Sequence, residues 1–375
     1  MKPSSKVVVL IAVLLCLAGC SGSDDSIVLG CLSPQTGEGA SYGRAVRRGV
    51  ELAVEEINAQ KRLSKPLTVI FEDDKMSPTD GVSAFRKLVS VDHVPLVLGP
   101  FGSSIVLATA PIANETKTVL ITASATADKI ADAGDYVFRI VPPNSKQGAD
   151  IAEFSFGKLH HKRAAILYQT NDYGITLRDA FDKSFKALGG AIVGSEGYPL
   201  GTTDFRAALT KLKSLNPDLI FFPLHQADAA LMLRQAKELG YTADFISADG
   251  AYTEDLIKTA GNAAEGAYFS TMALAFGVAD QAIAQFQNAF KSKFHDDPDV
   301  YAAYYYEATN LVAQVIRDSG ATGESIRKGL DAMNGAKAYH GITGTTSFDA
   351  KGEVDKAFYI YQIKNGKFSL VGPPK

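Results

Sequence analysis

The sequence predicts an α/β protein built as two doubly wound, parallel-sheet lobes. Short apolar runs of β character alternate with amphipathic helical stretches from residue 27 to about 272. That rhythm means parallel strands covered by helices on both faces. The alternation falls into two series, parted by Pro142-Pro143, which reads as an entry hinge. At 375 residues the chain also exceeds what one ordinary core serves.

The first series opens with a strand over 27–32 and a helix over 45–59, whose Val46, Val50, Ala53, Val54 and Ile57 recur at helical spacing. A strand over 67–71 ends in Glu72-Asp73-Asp74. Ser77-Pro78 then starts a helix carrying Val82, Phe85, Leu88 and Val89 on one face. Strands over 94–98 and 117–121 follow, joined by a helix that begins near Ser103. The second series has strands over 163–168, 191–194, 218–222 and 244–247. Helices over 174–188, 205–214 and 227–239 alternate with them, the first and last closed by Gly189-Gly190 and Gly240. After a strand over 267–272 the rhythm breaks into three helices, over 281–294, 300–319 and 323–333. Strand-like runs over 340–348, 356–363 and 367–371 finish the chain. Three helices suit completion of the first lobe and the last strands a return to the second, which implies crossings near 140, 272 and 347.

The chemistry concentrates at two corners. Gly99-Pro100-Phe101-Gly102-Ser103-Ser104 and Thr122-Ala123-Ser124-Ala125-Thr126 each follow an apolar strand. In an open α/β sheet, ligands bind beyond the carboxyl ends of the strands. N–H groups at a helix start are unpaired and carry the positive end of the helix dipole, so the pair makes an anion cradle. Neither corner contains His, Cys or Lys, which suits holding a small carboxylate without changing it.

Bulk properties exclude other classes. The formal net charge is −3, with 46% hydrophobic and 21% charged residues and no basic run, which argues against nucleic acid. At the amino terminus, Lys2 and Lys6 precede an apolar core from Val7 to Leu17 and then Leu17-Ala18-Gly19-Cys20. The apolar run is shorter than the roughly 20 residues that span a membrane, so residues 1–19 read as a signal peptide. The tetrapeptide is similar to a bacterial lipobox, with Cys20 carrying the lipid and residues 20–26 a polar tether. Of three cysteines only Cys31 then remains, as a buried thiol with no intrachain disulfide partner.

The chain resembles the periplasmic amino-acid binding proteins of the branched-chain (Leu/Ile/Val) type, the ligand-binding components of ABC uptake systems. The motifs that carry the likeness include Leu32-Ser33-Pro34-Gln35-Thr36-Gly37 with Tyr42-Gly43, Glu72-Asp73-Asp74 and the two corners. Asp172-Tyr173-Gly174, Leu233-Arg234-Gln235-Ala236, Ala248-Asp249-Gly250 and Tyr301-Ala302-Ala303-Tyr304 continue it. It covers nearly all of 27–375 and implies the type I periplasmic-binding-protein fold. Lobe one would comprise 27–140 and 273–347, and lobe two 141–272 and 348–375.

By that resemblance Ser103, with neighbours Phe101 and Gly102, would hold an α-carboxylate together with the Thr126 N–H. The Ser124 carbonyl and Thr126 hydroxyl, flanking Ala125, would accept from the ammonium, which Asp249 pairs from the second lobe. Tyr42, Tyr173 and one of Tyr304 or Tyr306 fall on aromatic walls of the side-chain pocket. The family commonly has Glu at Asp249 and often Tyr near His225, so His225 bears on ligand choice. A Cys pair of some members falls on Met76 and Gly102 and is absent here.

Plainer readings stand beside these. Ser103 could be a helix N-cap, Ser124 and Thr126 loop hydroxyls, and Asp249-Gly250 a turn. Glu72-Asp73-Asp74 lacks the donor spacing of a metal loop. Phosphate-loop, dinucleotide, G-x-S-x-G and H-E-x-x-H patterns are absent. The sharpest enzyme alternative, a secreted hydrolase using Ser103, His225 and Asp249, lacks a nucleophile elbow. The expectation is a lipid-anchored receptor on the outer face of a membrane, monomeric, with no catalytic residues, metal or cofactor. It would bind a small amino acid, branched-chain or otherwise apolar, and deliver it to a membrane permease. A related receptor for an amide, urea or aromatic carboxylate is the alternative.

Overall fold

The computed structural model describes residues 26–272 and 281–372. The signal peptide, Cys20 and nearly all of the tether lie outside the described residues. Strand β1 (Ile27–Ser33) buries its last five residues in succession, as a strand covered on both faces does. Helix α1 (Ala40–Ala59), β2 (Leu67–Asp73) and α2 (Pro78–Ser90) follow. α2 starts as its sequence dictates, with Pro78 in the first turn and the Ser77 side chain accepting from the Asp80 N–H. Then come β3 (Leu96–Leu98), α3 (Ser103–Thr116), β4 (Val119–Thr122) and β5 (Val137–Arg139). All five strands pair in parallel in the order β2-β1-β3-β4-β5.

Helix α4 (Asn144–Glu153) leads into the second sheet. It holds β6 (Arg163–Gln169), β7 (Ala191–Tyr198), β8 (Leu219–Phe221), β9 (Asp244–Ser247) and β10 (Tyr268–Met272). Between them run α5 (Asp172–Ala187), α6 (Arg206–Ser214), α7 (Gln226–Glu238) and α8 (Glu254–Ala260). These strands repeat the order of the first sheet, β7-β6-β8-β9-β10. After β10 the chain supplies α9 (Gln281–Phe294), α10 (Val300–Ser319) and α11 (Gly323–Asp331). Their Phe286, Leu311 and Ile326 share one core with Leu29, Leu98 and Ile121 of the first sheet. A short hairpin, β11 (Tyr339–Gly341) and β12 (Gly344–Thr346), precedes β13 (Phe358–Lys364) and β14 (Lys367–Gly372). The last two strands extend the second sheet antiparallel beside β10.

Three details differ from the sequence expectation. The run over 340–348 is a tight hairpin, because Gly341 and Gly344 interrupt it. Strand β4 starts at Val119, because Lys117 takes a left-handed conformation (φ 56°) to close α3. Helices α4 and α8 were not anticipated. α4 is mostly polar with a glycine inside, and α8 has only seven residues, so neither shows a long apolar period.

Candidate functional site

Both corners lie at the carboxyl end of the first sheet, after β3 and β4. Gly99 has φ +99°, and a Cβ there would lie 2.1 Å from the Leu32 carbonyl oxygen, so only glycine lets this corner fold against β1. Gly102 is the N-cap of α3 and Ser103 its first helical residue, so the cap reading of Ser103 does not hold. The Ser103 Oγ instead accepts from the N–H groups of Thr126 and Ala127, both at 3.2 Å. The Ser124 hydroxyl donates to the Phe101 carbonyl at 2.9 Å and lies 3.0 Å from the Tyr305 hydroxyl. Thr122 ties back to the Pro100 carbonyl at 2.8 Å. Hydroxyls thus stitch the two corners into one surface.

This stitching changes one expected role. The Thr126 N–H is bound to Ser103 and its carbonyl accepts from the Asn144 N–H at 2.8 Å. Its Oγ1 is buried without a partner among the described residues. Ala125 is buried in the core cluster that also holds Leu32 and Val97 and does not line the gap between the lobes.

In the second sheet the corresponding loops follow β6, β8 and β9. Asn171 caps α5 by accepting from the Gly174 N–H, which sets Tyr173 in the first turn. The Tyr173 hydroxyl accepts from the Gly250 N–H at 2.9 Å and donates to Asp249 Oδ1 at 3.2 Å. Asp249 is 2% exposed. Burial pushes its carboxyl up to about 6, while Gln147 and Tyr173 beside it pull the other way. His225 sits just before α7, with Nδ1 paired to Gln169 Oε1. Burial drives the ring down to about 4, so it is neutral at ordinary pH.

The two walls meet through Tyr42. Its hydroxyl donates to the Gly250 carbonyl and accepts from the Gln226 N–H at 2.8 Å. Its ring stacks on Phe101 at 4.6 Å and meets His225 edge-on at 6.0 Å. At the lips, the Ser104 hydroxyl donates to Asp172 at 2.7 Å, and Arg44 pairs Asp255 at 3.1 Å. Phe101, Gly102, Ser103 and Ser124 face Tyr173, His225, Asp249 and Gly250 across about 10 Å³, roughly one water's worth of space. A wider pocket of about 390 Å³ opens beside it, sharing Ser103, Tyr173 and His225 and adding Met76, Ile105, Ile175 and Leu200.

Of the tyrosines on α10, Tyr301 lines the cleft, not Tyr304 or Tyr306. Its hydroxyl donates to the Asp249 carbonyl at 2.8 Å and its ring packs edge-on against Phe101 at 4.9 Å. Tyr301 and Tyr305 are four residues apart and share the helix face turned to the strand ends. Tyr304 is buried beside Lys356, and the Tyr306 hydroxyl donates to Glu56 at 2.6 Å. Helical period alone pairs Tyr301 with Tyr305 but does not say which face of α10 meets the sheet. Gly250, Gln169 and Gln226 were also missed; their contacts depend on loop geometry that no local pattern encodes.

The hydrolase alternative finds no linked triad, since the His225 Nδ1 pairs Gln169 and the Asp249 carboxylate accepts from Tyr173. Asp73 is spent on turn N–H groups, those of Gln35 at 2.8 Å and Lys75 at 2.9 Å. Among the described residues no cluster of His, Cys, Asp and Glu could hold a metal, and no helix is long and apolar enough to cross a membrane. Cys31 is buried, its thiol pushed up to about 12.

Two repeated doubly wound sheets facing each other over a cleft lined by hydroxyls on one side and a buried acid on the other define a cleft-binding protein of the type I periplasmic fold. The chain belongs to the periplasmic binding protein family, whose model matches residues 26–367. It is 29% identical over 365 residues to a Leu/Ile/Val-binding protein homolog 2 from Brucella abortus, covering 96% of this chain and 95% of that one. Among solved structures, it is similar to the branched-chain amino acid transporter substrate-binding protein LivJ of Streptococcus pneumoniae in complex with isoleucine. That match has a TM-score of 0.86 at 30% identity, covering 93% of this chain and 100% of that one. A solute-binding protein of an ABC transporter from R. palustris in complex with benzoate shares the fold, with a TM-score of 0.85 at 22% identity over 93% of this chain and 96% of that one.

Proposed function

We propose that this protein is the substrate-binding component of an ABC uptake system. It takes a zwitterionic α-amino acid with an apolar side chain of about branched-chain size and hands it unchanged to a membrane permease. The observation that carries this is the polarity of the cleft. The first wall offers the start of α3, the Ser103 hydroxyl and the unpartnered Thr126 Oγ1; the second offers the buried Asp249. A carboxylate suits the first wall and an ammonium suits the acid. The isoleucine-bound relative and the Leu/Ile/Val-binding homolog support the same ligand class. An aromatic carboxylate, as in the benzoate complex, would leave Asp249 buried against a ligand with no cation.

An amino acid fills more than the space of one water, so the lobes part to admit it. A ligand that touches Ser103 and Asp249 at once binds the closed form better than the open one and shifts the population toward it. Tyr42, with partners across the cleft on Gly250 and Gln226, is the clamp of that closed form. The leader and Leu17-Ala18-Gly19-Cys20 support export and anchoring at Cys20.

Calorimetry on ligand-free protein with isoleucine, its deaminated acid and its decarboxylated amine tests the reading. Isoleucine should bind and the two analogues should bind at least tenfold more weakly; equal binding of the deaminated acid overturns the zwitterion. Cys20→Ser should release the exported protein from membranes.

A further inference from the structure

His225 carries a hydrogen-bond relay that amino-acid capture does not by itself require. Asp228 is 4% exposed, and its Oδ2 accepts from the Gly201 N–H at 3.2 Å and from Gln169 Nε2 at 2.9 Å. That fixes the amide of Gln169, whose Oε1 is left to accept from the Asn171 side chain at 3.4 Å and from His225 Nδ1. An amide oxygen cannot donate, so Nδ1 carries the imidazole proton. In a neutral ring the other nitrogen is then a lone pair. Nε2 makes no hydrogen bond among the described residues, yet it is not among the fully enclosed polar atoms, so it touches open space. That space is the cleft, because His225 lines both the narrow gap beside Asp249 and the 390 Å³ pocket next to it. Asp249 borders the gap and not the wider pocket, which is therefore the room left for a ligand's side chain.

We propose that His225 is a specificity residue whose Nε2, held as an acceptor by Gln169 and Asp228, faces the ligand's side chain. It favours amino acids that carry a hydroxyl or amide donor there over apolar isosteres. Gln169 and Asp228 are positioning residues that act through the ring. His225 is only 6% exposed, so an apolar side chain that covers Nε2 leaves an acceptor unpaired, whereas a hydroxyl pairs it. Burial holds the ring in its neutral form, as the relay requires. The inference rests on the zwitterion reading above and departs from it in the side chain, which it makes a hydrogen-bond donor of branched-chain size in place of a purely apolar one.

Threonine and valine have nearly the same shape and differ by this one group, so their ratio isolates it. Calorimetry on ligand-free protein should give threonine an affinity about tenfold or more above valine. His225→Phe should bring the ratio to about one. Gln169→Leu should lower it, and imidazole ¹⁵N shifts should move from a protonated Nδ1 toward a mixture of tautomers. Valine equal to threonine in the unaltered protein overturns the proposal and leaves the amino-acid reading standing. So does an equal loss for both ligands in His225→Phe, which would place Nε2 on the ammonium. Should neither these nor any other amino acid bind, both readings fall together. If His225→Phe does not fold, the unaltered ratio and Gln169→Leu decide.

Discussion

The two walls of the cleft come from the same topology and solve opposite problems. In each sheet the contributing loops follow the first, third and fourth strands: Tyr42, Ser103 and Ser124 on one side, Tyr173, His225 and Asp249 on the other. The first wall is neutral. The Ser103 and Ser124 hydroxyls are each bound to the backbone of the facing corner, and Thr126 Oγ1 behind them has no partner among the described residues. The second wall holds a carboxylate and an imidazole, both buried and both pushed toward their uncharged forms. The tyrosines diverge in the same way: the Tyr42 hydroxyl reaches across the gap, while that of Tyr173 stays in its own lobe on Asp249 and Gly250. Equivalent positions thus give one wall that is prearranged at little cost and another that is destabilised while Asp249 has no cation beside it.

The comparison breaks first at Asp249. Asp249→Ala should weaken amino-acid binding by about 3–5 kcal/mol in calorimetry, since the ligand's ammonium would be buried unpaired. The same mutant should be at least as stable as the parent without ligand, because burial of the carboxylate is a cost. Its pH signature follows. A carboxyl raised to about 6 when folded, against an ordinary value of 3.8, makes ligand-free stability fall as pH rises from about 4 to above 6. Asp74 and Asp228, both raised to about 7 by burial, add to that fall. Affinity should run the opposite way, rising through about pH 6 as Asp249 ionises. Titrations at pH 5 and pH 7.5 that give equal affinity would remove it from the site.

On the first wall the expected effects are smaller and differ in sign. Ser103→Ala deprives two N–H groups of their acceptor, so melting of the ligand-free protein should show a loss of about 1–3 kcal/mol alongside weaker binding. Thr126→Val removes a buried hydroxyl that has no partner. It should leave ligand-free stability equal or higher and weaken binding by about 1–2 kcal/mol. Smallest is Arg44→Ala: its ion pair with Asp255 is half exposed, so closure should lose under about 1 kcal/mol, and less at high salt.

Much of this contrast is readable from sequence, and the unreadable part has a common cause. Strand ends, the Gly99 corner and the Asp249 turn announce themselves through local patterns of apolar residues, Gly and hydroxyls. Contacts such as Ser103 to Thr126, or Tyr42 to Gly250, join residues 23 and 208 apart, and no local pattern specifies them. Tyr301 was passed over because four tyrosines crowd one turn and a half of α10, and choosing among them requires knowing which face of the helix meets the sheet. Ala125 has its corner's spacing, but it is buried with the core of the first lobe and does not line the gap.

A gap of about 10 Å³ also governs kinetics. On the proposed function, solutes meet the recognition groups only during excursions in which the halves swing apart, so every solute shares one upper limit on its rate of capture. Discrimination among them then resides in residence time, so an exchange at His225, if it alters selectivity as proposed, should act on the dissociation rate and leave the association rate unchanged.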